Sequence, residues 1–78
     1  MPTIAVIQGY RFHFYASDHA EPVHIHISKA NGYAKIWLDP VEPQYFYNFK
    51  SQEQRQILLI IQENSQLFKE KWHEYFHQ

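Results

Sequence analysis

Two alternating runs flank a single dipeptide. Residues 23–29 read VHIHISK, residues 33–39 read YAKIWLD, and Ala30-Asn31-Gly32 joins them. Asn-Gly between such runs is the strongest short-range signal for a β-hairpin, because a two-residue turn of the right twist needs positive φ at both central positions. Taking Asn31 and Gly32 as the loop pairs Ala30 with Tyr33. Counting outward sets Ser28 opposite Lys35, His26 opposite Trp37 and His24 opposite Asp39. Val23, Ile25 and Ile27 then share a face with Ala34, Ile36 and Leu38, as a half-buried antiparallel pair requires.

The remainder builds outward from that hairpin. Residues 3–8 (TIAVIQ) are β-branched and apolar and predict a first strand, with Gly9 allowing a bend or bulge. Residues 10–16 (YRFHFYA) alternate, with Tyr10, Phe12 and Phe14 to one side and Arg11, His13 and Tyr15 to the other. Residues 17–22 read as a loop. Residues 40–50 carry Pro40 and Pro43 among four aromatics and read as an irregular crossing with a short extended piece. Ser51 is the expected N-cap of a helix, with Gln54 at the capping-box position. Ile57, Leu58, Ile61, Phe68, Trp72, Tyr75 and Phe76 then form a stripe of period 3.6. One long helix is expected, with Asn64-Ser65 the place where it would bend or break. The predicted fold is α+β: a small antiparallel sheet of about four strands (β-β-β-β-α) with a long C-terminal helix on one face, in a single domain spanning 1–78.

Size and charge narrow the function. A chain of 78 residues buries only about 60% of its unfolded surface, so a partner could add to its stability. Aromatic residues make up 18% of it, more than a small core needs, which leaves rings for the surface. Without cysteine there are no disulfides and no thiolate zinc sites. No apolar run approaches ~18 residues, and Met1-Pro2-Thr3-Ile4 lacks the basic and apolar segments of a signal peptide. The expectation is a cytoplasmic protein without a membrane partner. A net charge of −1 argues against strong non-specific nucleic-acid binding, though a local basic patch stays open.

The predicted face opposite the helix gathers Arg11, His13, Tyr15, His24, His26, Ser28, Tyr33, Lys35, Trp37 and Asp39, with Asp18, His19 and Glu21 on the loop beside it. Three readings compete. In the first, His24 and His26 converge on a divalent metal such as zinc, with His19, Asp18 or Asp39 as third ligand. In the second, His24 and His26 share acid and base roles in RNA phosphodiester cleavage. Asp39 then orients His24, Arg11 and Lys35 meet phosphate, and Tyr15, Tyr33 and Trp37 stack bases. In the third, the face binds a protein without chemistry, since Tyr, Trp and Arg are the types enriched at interface hot spots. An H-x-H pair also arises from alternation alone, so the histidines could simply meet water. His73 and His77, four apart near the helix end, could hold metal, but cationic side chains there also complement the helix dipole.

The segments E-P-x-H-I-H at 21–26, A-K-x-W-L-D-P-V-E at 34–42 and W-x-E-Y-F at 72–76 resemble the bacterial domain-of-unknown-function family 4160 (DUF4160). The likeness runs along nearly the whole chain, from M-P-T-I onward. It carries the family's recurring residues to Glu21, Pro22, His24, His26, Lys35, Trp37, Leu38, Asp39 and Pro40. It implies a toxin-like role in a toxin–antitoxin-type pair, whose partner is a small neighbouring-gene protein of the DUF2442 type. One departure is Val23, where family members usually carry a second proline; valine keeps a backbone N–H that proline lacks.

Overall fold

The computed structural model describes residues 3–77. Five strands form one antiparallel sheet in chain order: β1 (Thr3–Ile7), β2 (Tyr10–His13), β3 (His24–Lys29), β4 (Gly32–Leu38) and β5 (Val41–Tyr47). One helix, α1 (Ser51–Phe76), follows, and a 3-10 turn (Ala16–Ala20) bridges β2 and β3.

The core is built by the alternation. Tyr10, Phe12, Phe14, Ile25, Ile27, Ala34, Ile36 and Leu38 are buried against Ile57, Ile60, Ile61, Phe68 and Trp72 of α1. Phe12 stacks on Phe68 with ring centroids 5.2 Å apart, and Phe14 meets Trp72 edge-on at 5.4 Å. The Tyr10 hydroxyl donates to Gln56 Oε1 (2.7 Å) and ties sheet to helix. α1 runs unbroken through Asn64, whose amide donates to the Ile60 carbonyl at 2.8 Å.

Three local expectations are corrected. The fifth strand occupies the segment expected to cross irregularly. Its Pro43 lies on an edge strand facing a register shift between Lys35 and Ile36, the setting in which a sheet tolerates proline. The hairpin loop is Ala30-Asn31, not Asn31-Gly32: Lys29 pairs with Gly32, His26 with Lys35 and His24 with Trp37. Ala30 takes the positive φ (51°). Gly32 lies in β4, where the Phe49 ring leaves no room for a side chain: it comes 2.4 Å from where a Cβ would be. The turn with two positive φ angles is Gln8-Gly9 (53° and 84°), which makes β1–β2 a tight hairpin. Finally, Lys50 and not Ser51 is the N-cap, and its N–H donates to Glu53 Oε1 at 3.0 Å.

The register error is two residues. An even slip returns every side chain to its expected face, so the face assignment survives.

Candidate functional site

On the face away from the core, the register sets the side chains in three rows. Arg11, Ser28, Tyr33 and Tyr47 form the first, and His13, His26, Lys35 and Tyr45 the second. His24, Trp37 and Glu42 form the third. The middle of this face is closed, where the sequence suggested an open, wet one. Tyr15 and the 3-10 turn fold over it, leaving His13 and His24 fully buried and His26 5% exposed. Tyr15 packs edge-on against His26 at 4.5 Å and His13 at 5.2 Å.

Asp18 is the hub. The 3-10 turn is held by Asp18 N–H on the Tyr15 carbonyl and Glu21 N–H on the Asp18 carbonyl, both 3.0 Å. The Tyr15 N–H in turn donates to Asp18 Oδ2 at 2.8 Å. This small ring aims the carboxylate at β3. Asp18 Oδ1 lies 3.1 Å from Nε2 of both His24 and His26. Burial opposes the carboxylate's charge, but the Tyr15 N–H and His26 outweigh it and hold the carboxyl below its usual range.

The two imidazoles differ in support. His24 Nδ1 lies 2.7 Å from the Pro22 carbonyl. A carbonyl only accepts, so Nδ1 carries a proton in this contact. The ring's Nε2 is buried and has no hydrogen-bond partner among the described residues, with Asp18 Oδ1 3.1 Å away. His24 also meets the Trp72 ring at 5.1 Å, where the last turns of α1 pass the end of the sheet. His26 Nδ1 faces the Tyr33 hydroxyl (3.2 Å), which donates to Tyr15 Oη at 3.1 Å. Burial pushes the His26 pKa down against the opposing pull of Asp18. Burial and the neighbouring Tyr15 push the Tyr33 phenol up, so it stays neutral.

Lys35 pairs with Glu21 and lies over the Trp37 ring at 4.8 Å. The ion pair pulls the Glu21 carboxyl below its usual range. Arg11 is spent locally, with Nε on Ser28 Oγ (3.3 Å) and Nη1 on Thr3 Oγ1 (3.4 Å).

The structure thus brings together His24, His26, Lys35, Trp37, Tyr15 and Tyr33, with Arg11 at the margin. It leaves out two expected residues. Asp39 is exposed, and the true register gives its place opposite His24 to Trp37. His19 is exposed on the 3-10 turn, its Nδ1 on the Ala16 carbonyl (3.1 Å) and its ring 6.0 Å from Phe76. Asp18 takes the third position, because the turn directs neighbouring side chains apart. Sequence reading missed the aromatic edge of β5: Tyr45 and Tyr47 continue the face, 40% and 64% exposed. Their alternation in YFYNF was the available signal, masked by the prolines.

Chemically the cluster offers two imidazole nitrogens and a carboxylate within 4.8 Å of one another. That set can relay a proton or hold a divalent cation.

Fold and site together define a small α+β domain with one helix over one sheet face and a closed histidine–carboxylate centre on the other. The chain belongs to the family described as Domain of unknown function (DUF4160), whose model matches residues 9–73. No curated protein and no solved structure matches it.

Proposed function

We propose that this chain is the toxin-like member of a two-protein module and that the face opposite the helix is where its protein partner docks. The observation that carries the docking surface is the aromatic band around the closed centre. Tyr15, Tyr33 and Trp37 are half-buried, and Tyr45 and Tyr47 are exposed, on one continuous face. Amphipathic rings of this kind give large contact area at low entropy cost and dominate interface energetics. The charge pattern favours protein over nucleic acid. The chain is net −1, and Lys35, the cation at the middle of the face, is already paired with Glu21. The toxin-like role and a DUF2442-type partner rest on what the family resemblance implies.

The test is expression of the chain alone and together with the small protein encoded beside it. Growth should stop in the first case and continue in the second, with the two proteins co-purifying. Trp37→Ala and Tyr45→Ala should each weaken the complex at least about tenfold. Glu63→Ala, an exposed position on α1, should leave it unchanged. Normal growth without the partner removes the toxin role. Unchanged affinity in both aromatic variants removes the docking face.

A second reading, cleavage of RNA, draws on one observation: two imidazoles share one carboxylate beside Lys35 and Trp37. The Tyr15–Glu21 segment would have to lift for a phosphodiester to reach them. In that case His26→Gln abolishes growth arrest while the partner still binds, and purified chain cleaves single-stranded RNA.

A further inference from the structure

We infer that Asp18, His24 and His26 form a binding site for a divalent first-row transition metal ion of the zinc type. Four observations converge. The three donor atoms lie within 4.8 Å of one another and come from two elements, the 3-10 turn and β3. Both separations from the carboxylate suit a shared ion: ligands at about 2.0–2.1 Å in a tetrahedron stand roughly 3.3 Å apart. Here Asp18 Oδ1 is 3.1 Å from each Nε2.

The third observation concerns His24 alone. Its Nδ1 is within hydrogen-bond distance of the Pro22 carbonyl, and its Nε2 lies 3.1 Å from Asp18 Oδ1. Nε2 is fully buried and has no hydrogen-bond partner among the described residues. A buried ring nitrogen without a hydrogen bond needs a partner, and an ion shared with Asp18 would supply one. The fourth is outer support. Metal-bound histidines donate their other ring N–H to a carbonyl, a carboxylate or another oxygen. Pro22 O fills this role for His24, and Tyr33 Oη stands at the matching position for His26. The Asp18 carboxylate is itself oriented by the Tyr15 N–H.

Two imidazoles and one carboxylate make a borderline donor set that fits zinc, iron(II), cobalt(II) or nickel(II) better than calcium or magnesium. The bound ion would clamp the 3-10 turn onto β3 and so hold Tyr15 in place on the aromatic face. The site stands on its own donor geometry, whatever binds that face.

The experiment uses tag-free, chelator-treated full-length protein and zinc or cobalt(II) chloride. About one equivalent of zinc should bind. At a hundredfold excess over the dissociation constant the melting temperature should rise by roughly 10 °C. Asp18→Asn and His26→Gln should abolish the rise; His19→Ala should retain it. Because buried variants can fail to fold, a second readout uses the unaltered chain. Cobalt(II) should give visible d–d bands and displace the His24 and His26 ring signals in NMR, leaving those of His73 and His77 in place. Any of three results overturns the proposal: no stoichiometric binding, a zinc response that survives in folded Asp18→Asn, or cobalt displacing only the His73 and His77 signals.

Discussion

His13 is an imidazole enclosed by the sheet face. Ser28 Oγ is 3.4 Å from its Nε2, and its Nδ1 has no hydrogen-bond partner among the described residues. Burial, aided by Arg11 and His26 and opposed by Asp18, pushes its pKa down from 6.5 to about 4. The unfolded chain therefore binds this proton before the folded one does. The contribution to stability is fully present above pH 6.5 and is lost as pH falls towards about 4. Each unit across that window removes up to about 1.4 kcal/mol. Melting of metal-free protein at pH values between the free value of 6.5 and about 4 should show this fall, and His13→Phe should flatten it. An unchanged slope in that variant would assign the acid sensitivity elsewhere. Gly32 gives a second single-residue prediction. An alanine Cβ there would meet Phe49 Cε1 at 2.4 Å, and that ring is packed into the core. Gly32→Ala should lower stability by about 1–3 kcal/mol in urea melts, as overpacking does. Adding Phe49→Leu should make the second penalty less than additive, because the clash is then gone.

Among the elements, the helix start separates two readings of one sequence. Ser51-Gln52-Glu53-Gln54 offers a serine cap with a glutamine three residues on, but the chain begins its helix one residue earlier. Lys50 carries the extended cap geometry, Glu53 accepts its N–H, and the Gln54 side chain donates to the Phe49 carbonyl at 2.9 Å. Phe49 packing under Gly32 sets where the chain can turn into α1. Glu53→Ala should therefore cost about 0.5–1 kcal/mol, while Ser51→Ala should be nearly neutral. Chemical denaturation of the two variants decides it; equal losses would restore Ser51 as the cap. The missed strand β5 teaches the same lesson. Pro40 and Pro43 argue against a central strand, but β5 is an edge with a register shift, where a missing N–H is tolerated. Strand periodicity was legible in β2, β3 and β4, where one face is fully apolar. It was masked in β5, where prolines interrupt the run and a register shift lets Val41 and Phe46, an odd number of residues apart, both pack on the core.

At the scale of the whole molecule, Trp72 joins the two sides of the sheet. It is 2% exposed, packs on Phe14 and Phe76, and its ring reaches His24. A domain this size has roughly 4–12 kcal/mol of stability in all. Trp72→Ala should remove about 3–5 kcal/mol of it. The variant should melt at least about 10 °C lower by circular dichroism. Because Trp72 also supports His24, the loss should reach the far face, and the His24 ring resonance should broaden even where the variant stays folded. A sharp, unshifted His24 signal would show that the centre is held by the 3-10 turn alone.

The amino-acid sequence by itself determined the first four strands, the pairing of β3 with β4, the long helix, and which side chains share a face. Those follow from periods of 2 and 3.6, which are local properties of the backbone and hold under a register slip of two. It also brought His24, His26, Lys35 and Trp37 onto one surface. Tertiary structure alone decided the rest. The hairpin closes two residues away from the expected register, with Gly32 in the strand under the Phe49 ring and Trp37 instead of Asp39 opposite His24. The Tyr15–Asp18 turn folded back and made a buried centre of a face that alternation alone leaves in water. Contacts between residues far apart in the chain depend on how surfaces fill space against one another, and no local repeat encodes that.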